Sequence, residues 1–148
     1  MSRNCIWLRV HLVWSTKCRA ATIIPAWQED LYVYIAGIIK NRDCRMIAAG
    51  GMSDHIHLYV RLSSDIAVGS LVNVIKTNSS RWVNVEHPSD EVFRWQRGYG
   101  AFSMNLRSEK HLRAYIANQQ EHHRKRTTEQ EMIAFASSHG HSEREWLH

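Results

Sequence analysis

Asp54-His55-Ile56-His57-Leu58-Tyr59-Val60 alternates its side chains with a period of two, the pattern of a strand whose successive residues face opposite sides of a sheet. On that reading His55 and His57 share one face, while Ile56, Leu58 and Val60 occupy the other and anchor the strand in a core. Just upstream, Cys44 to Ala49 reads as a strand and Gly50 to Asp54 as a turn, so this stretch is the second arm of a hairpin.

The remaining elements fall into place around that hairpin. Ile6 to Trp14 mixes β-branched, aromatic and leucine residues with Arg9 and His11 and reads as a half-buried first strand, followed by a basic, polar connection over Thr16 to Thr22. Pro25 opens a helix on which Trp27, Leu31, Tyr34, Ile35, Ile38 and Ile39 recur at steps of three and four. After the hairpin, Ser63, Ser64 and Asp65 are N-cap candidates for a second helix that buries Ile66, Leu71, Val74, Ile75 and Trp82, and Pro88 lies in the break beyond it. The glycine-punctuated aromatic run from Trp95 to Ser103 leads into a strand over Tyr99 to Leu106. Ser108 starts a third helix running through Leu112 and Ile116 to about Arg126. Strand, helix, strand, strand, helix, strand, helix predicts an α+β, ferredoxin-like split βαβ antiparallel sheet with helices on one face, plus an additional C-terminal helix carrying candidate catalytic residues.

Composition sets the outer bounds. A chain of 148 residues with 44% apolar and 22% charged residues is expected to form one soluble domain, here taken as residues 1–126, with 127–148 a C-terminal helix and tail and not a separate domain. No apolar run approaches the roughly 20 residues of a membrane span, and the opening Met1-Ser2-Arg3-Asn4-Cys5 leads into a strand and not a signal peptide. A cytoplasmic protein without membrane contact is the expectation. Cys5, Cys18 and Cys44 are odd in number and lack CxxC spacing, so they read as reduced thiols. Lys and Arg outnumber Asp and Glu by 19 to 14, a formal charge of +5 that suits a polyanionic partner, although basic proteins without nucleic acid are common.

Two imidazoles on one strand face can hold a divalent cation, and a carboxamide oxygen from a neighbouring helix can be a third ligand. Gln119 is the candidate, and Tyr115, four residues earlier, projects from the same face of a helix. With His55, His57 and Gln119 as ligands the ion is Mn²⁺ or Mg²⁺, the latter with phosphate oxygens completing its shell. Tyr115 is then a candidate nucleophile toward a phosphodiester, and because a phosphotyrosine conserves the energy of the broken bond, strand transfer and not simple hydrolysis follows. The structural alternatives stand beside this: an HxH in a strand can be core, a tyrosine on a helix can be packing, a glutamine can be solvated. The other eight histidines, His11 among them, receive no role.

Four segments in order resemble a known family: Val13-Trp14-Ser15-Thr16-Lys17, Met52-Ser53-Asp54-His55-Ile56-His57-Leu58, Trp95-Gln96-Arg97-Gly98-Tyr99, and Tyr115-Ile116-Ala117-Asn118-Gln119 followed by His122-His123. Together they resemble the single-tyrosine HUH transposases of small bacterial insertion sequences, whose relatives tied to repetitive extragenic palindromes share the pattern. The resemblance spans roughly residues 6 to 126. It implies a metal-dependent transposase that binds hairpins in single-stranded DNA and cleaves and rejoins strands through a 5′-phosphotyrosine. Tyr115 would be the nucleophile and His55, His57 and Gln119 the metal ligands, in a homodimer whose active site is shared between subunits. One nucleophilic tyrosine per chain agrees with a dimer, since excising an element takes two cleavages. Ser53 stands where the family commonly has proline, and Cys18 to Ala21 is less basic than usual.

Lys17, Arg19, Lys76, Arg81, Arg94 and Arg97 are the candidate phosphate contacts, with Trp95 or Tyr99 available to stack on an unpaired base. Each can equally be a surface charge or a packed ring. A histidine-triad nucleotide hydrolase would want a third alternating histidine where Tyr59 stands, and a two-histidine phosphoesterase a second HxS or HxT strand. The alternative within the same family is a palindrome-associated or domesticated hairpin-binding protein with nicking activity or no turnover.

Overall fold

Alternating apolar residues on paired strands build the centre of the structure, a computed structural model that describes residues 3–119 and Gln130. Strand β1 (Arg9–Ser15) leads to helix α1 (Pro25–Lys40), then to the hairpin of β2 (Arg45–Met52) and β3 (His55–Arg61). Helix α2 (Val68–Glu86), the short strand β4 (Gly100–Ser103) and helix α3 (Glu109–Ala117) follow. The strand order is β2-β3-β1-β4 with antiparallel pairing throughout, so the α+β, split βαβ architecture read from the sequence is the one observed.

The two faces of the sheet have different jobs. Leu12, Trp14, Ile56, Leu58 and Val60 are completely buried beneath α1 and α2, against Leu31, Ile35, Leu71 and Ile75. Each such side chain contributes roughly 1.5–3 kcal/mol by leaving water. A one-residue slip of β3 would carry three of these residues to the wrong side and bring the histidines into the core, so the apolar face fixes the register that places His55 and His57. On the opposite face α3 crosses the sheet, packing Leu112 and Ile116 on Tyr59. An ion pair between Arg9 and Glu109 ties the start of α3 to β1.

Several boundaries differ from the sequence reading. Gly50, Gly51 and Met52 continue β2 and pair with His57, Ile56 and His55, leaving only Ser53 and Asp54 to make the turn. The two glycines are there for closeness: a Cβ on Gly50 would lie 2.3 Å from the carbonyl oxygen of Ile116, and one on Gly51 would lie 2.2 Å from that of His55. Ile6, Trp7 and Leu8 precede β1 and stay exposed: the ladder with β3 ends at Arg9 opposite Arg61, with one further bond from Leu62 N–H to the Leu8 carbonyl at 2.8 Å. The second helix starts at Val68 without a side-chain cap, past the serines and aspartate that the sequence offers. α3 closes at Ala117, with Asn118 out of helical geometry (φ −105°, ψ 30°). The expected continuation to Arg126, the domain boundary there and nearly all of the C-terminal segment lie outside the described residues. No helix among the described residues is long and apolar enough to cross a membrane.

Candidate active site

β3 presents His55 and His57 on the α3 side of the sheet, both fully buried, with their rings 5.0 Å apart and nearly perpendicular at 85°. His55 is held at both nitrogens. Its Nδ1 lies 2.8 Å from Oδ1 of Asp54, and its Nε2 lies 3.1 Å from Oε1 of Gln119. An ionised carboxylate only accepts, so the Asp54 contact puts a proton on Nδ1 and leaves a lone pair on Nε2 in the neutral ring. The amide of Gln119 is oriented as well, because its Nε2 donates to the Tyr115 carbonyl at 3.0 Å. Two acceptors therefore face each other in a buried setting. Such a contact is repulsive unless a second proton or a cation lies between them.

The donor set fits a cation. Two ligands about 2.1 Å from one octahedral ion, at right angles, lie about 3 Å apart, close to the 3.1 Å between His55 Nε2 and Gln119 Oε1. Among the described residues no group of three His, Cys, Asp or Glu side chains forms a metal cluster, and a cation at His55 and His57 would take its third protein ligand from the Gln119 carboxamide. Imidazole suits Mn²⁺ better than Mg²⁺.

Tyr115 stands edge-on to His57, with ring centroids 5.6 Å apart and an angle of 86°. It also lines a cleft of about 460 Å³ with Met104, His111, Leu112 and Asn118, so the ring is open on one side. On the other side of the α3 terminus Gln119 borders a second cleft of about 510 Å³ with Gln28, Tyr32, Gly50 and Gly51. The sequence expectation that Tyr115 and Gln119 share one helical face is met in a different way: the helix breaks at Asn118, and Gln119 folds back to bond the Tyr115 backbone. Other tyrosines nearby are poorly disposed to ionise. Desolvation raises the phenol of Tyr59, which is completely buried, and burial pushes Tyr32 up to about 12. Tyr59 also fills the place where a third alternating histidine would stand, under Leu112 and Ile116.

His11, given no role by the sequence reading, belongs to this site. It lies on the central strand β1, fully buried, with Nε2 2.8 Å from Nδ1 of His57, the two rings edge to edge with centroids 5.1 Å and planes 21° apart. The available signal was its even spacing from Val13 and Ser15, which puts it on one face of β1. Only the pairing of β1 with β3, His11 opposite Tyr59 and Val13 opposite His57, shows that this is the histidine face.

The basic residues separate into groups. Residues 94–97 are laced to the end of β1: Lys17 N–H donates to the Arg94 carbonyl at 2.9 Å, Gln96 N–H to the Ser15 carbonyl at 2.9 Å, and Ser15 Oγ to Gln96 Oε1 at 2.7 Å. Ser15 pairs with His55, so exposed Lys17, Arg19, Arg94 and Arg97 gather at the His55 end of the sheet. Arg81 is exposed on α2. Lys76 has another occupation: its Nζ donates to the carbonyls of Gln96 at 2.8 Å, Arg97 at 3.3 Å and Gly98 at 2.7 Å, and burial lowers its pKa to about 8. A phosphate at Lys76 would have to displace those carbonyls. Trp95 is not available for stacking on a base, since it is buried edge-on against Trp14 and Phe93 and donates Nε1–H to Ser79 Oγ at 2.9 Å. Tyr99 keeps 37% of its surface exposed.

Residues 5–119 match the family described as transposase IS200 like. The chain belongs to the IS200-like transposase family. Among curated proteins, this transposase is 22% identical over 117 residues to the ISDra2 transposase TnpA of Deinococcus radiodurans, covering 76% of this chain and 84% of that protein. Among solved structures, it aligns with a transposase of Deinococcus radiodurans at a TM-score of 0.64 and 20% identity, over 80% of this chain and 96% of the other. It also aligns with a REP-associated tyrosine transposase bound to a REP hairpin, at a TM-score of 0.59 and 15% identity, over 99% of this chain and 81% of that one. At these identities the structural likenesses speak for the fold.

Proposed function

We propose that this transposase binds hairpins in single-stranded DNA and cleaves and rejoins strands through a 5′-phosphotyrosine on Tyr115, with a divalent cation, Mn²⁺ or Mg²⁺, held by His55, His57 and Gln119. The observation that carries the reading is the 3.1 Å approach of His55 Nε2 to Gln119 Oε1, beside a tyrosine that stands against His57. A cation bound there would neutralise the non-bridging oxygens of a phosphodiester. The chain's own part is geometric. β3 holds the imidazoles rigidly, and α3 carries the Tyr115 phenol to the same face. Attack of the Tyr115 oxygen on phosphorus forms the tyrosine–phosphate bond and breaks the bond to the 3′-oxygen, which leaves as a hydroxyl once protonated; the phenol proton goes to solvent. Attack by another 3′-hydroxyl reverses these events and joins strands. Lys17, Arg19, Arg94 and Arg97 hold the DNA backbone at the His55 end.

The protein acts as a homodimer, because two cleavages need two tyrosines. The resemblance implies a tyrosine helix lent to the partner, while the packing of α3 on its own sheet supports use of Tyr115 within one protomer. Incubation with a labelled single-stranded hairpin and Mn²⁺ tests the reading: a covalent adduct forms on a denaturing gel with the native chain and none with Tyr115→Phe. Free product released equally by both would mean a hydrolase, and hairpin bound without adduct would mean a binding protein without turnover.

A further inference from the structure

His11 is an imidazole completely buried in the middle of the sheet, between His57, which it meets edge to edge, and Phe102, 6.0 Å away between ring centroids. An apolar residue would fill such a position without the cost of burying two ring nitrogens. What distinguishes the histidine is its contact with a single atom of its neighbour: Nε2 of His11 meets Nδ1 of His57 at 2.8 Å. The counterpart on the other histidine of the motif is Asp54, whose carboxylate meets Nδ1 of His55, also at 2.8 Å. Both rings are thus gripped at Nδ1. A neutral imidazole carries its proton on one nitrogen and its lone pair on the other, and only the lone pair can ligate a metal.

We propose that His11 is a positioning residue that holds His57 as the Nδ1–H tautomer, so that the lone pair of His57 lies on Nε2 and the ring is fixed for ligation. The inference rests on the metal-site reading above. In it, His11 accepts from His57 Nδ1–H through its own Nε2, and the rings, edge to edge with planes 21° apart, lie close to the common plane that this bond needs. Outer partners of this kind set both the tautomer and the orientation of a ligating histidine. His11 touches no substrate and no metal.

The test reads the tautomer directly. In metal-free native protein with ¹⁵N-labelled histidine, long-range ¹H–¹⁵N spectra, assigned by loss of signals in His57→Gln, show His57 protonated on Nδ1. His11→Gln, which keeps an acceptor at similar reach, preserves that pattern and the native Mn²⁺ affinity. His11→Phe, which fills the buried position with a ring but has no acceptor, mixes the tautomers and weakens Mn²⁺ binding by about 10- to 100-fold, measured by titration calorimetry. A native His57 found as the Nε2–H form overturns the proposal whether or not any variant folds. Mn²⁺ bound equally by native protein and His11→Phe overturns the role of His11 alone. A native chain that takes up no Mn²⁺ overturns the metal reading, and this role with it.

Discussion

The side-chain oxygen of Gln119 faces Nε2 of His55 at 3.1 Å, across 64 residues of sequence. With Nδ1 of His55 committed to Asp54 and the Gln119 amide nitrogen committed to the Tyr115 carbonyl, neither group can turn to relieve the contact without breaking another. Gln119→Ala should therefore weaken Mn²⁺ binding by about tenfold or more. Gln119→Glu, which offers an oxygen at the same reach, should retain it. Calorimetric titration decides this, and undiminished Mn²⁺ affinity in Gln119→Ala would remove Gln119 from the ligand set.

Lys76 gives a prediction about pH. Its pKa in the folded chain is about 8, below the ordinary 10.5, because burial disfavours the ammonium. Between those two values the unfolded chain holds a proton that the folded chain has released. The contribution of Lys76 to stability must therefore rise with pH across that window and level off on either side. Denaturant unfolding of the native chain and of Lys76→Met at pH 8 and pH 10 isolates the effect: the native chain should gain on the variant as pH rises. A parallel pH dependence of the two would contradict the assignment.

Hairpin binding should divide the basic residues. Alanine at Lys17, Arg94 or Arg97 should each lower the slope of log affinity against log salt by about 1, with the melting temperature unchanged, and Arg19→Ala should lower the slope likewise. Lys76→Ala should behave oppositely, lowering the melting temperature by loosening the carbonyls of residues 96–98. Fluorescence anisotropy across a salt series measures the first effect and calorimetry the second.

Two glycines should respond with opposite sign. Gly37 lies inside α1 with nothing within 4 Å of a would-be Cβ, so Gly37→Ala should stabilise the chain, by about 0.5–1 kcal/mol. Gly50→Ala would drive a methyl into the Ile116 carbonyl, displacing the end of α3 that carries Gln119. Loss of stability and of Mn²⁺ affinity together is the expected result for Gly50→Ala.

The use of Tyr115 can be assigned by mixing. Because α3 packs Leu112 and Ile116 on its own Tyr59, a mixture of His57→Ala and Tyr115→Phe chains should remain unable to form the DNA adduct. Restored adduct formation would show that α3 crosses to the partner.

The alternation in β3 was legible because it is local: a period of two across seven residues needs no knowledge of distant chain. The same holds for the apolar stripes of α1 and α2 and for the order of elements. What misled the reading were residues with two uses. Gly50 and Gly51 have the composition of a turn, but here they make room for the backbones of Ile116 and His55. Trp95, between Arg94 and Gln96 in an apparent loop, is drawn inward by Trp14 and Ser79, both distant in sequence, with Phe93 beside it. Lys76, read as a phosphate contact, binds carbonyls about twenty positions away.

From the sequence by itself came the two imidazoles on one strand face, the split βαβ order, and Tyr115 and Gln119 as companions. Only the tertiary structure decided that α3 crosses the histidine face, that Gln119 meets His55 after a break in the helix, and that His11 joins His57. The reason is physical: periodicity fixes which way a side chain points within its own element, whereas contacts between elements depend on strand register and helix docking, which are settled by packing the whole core.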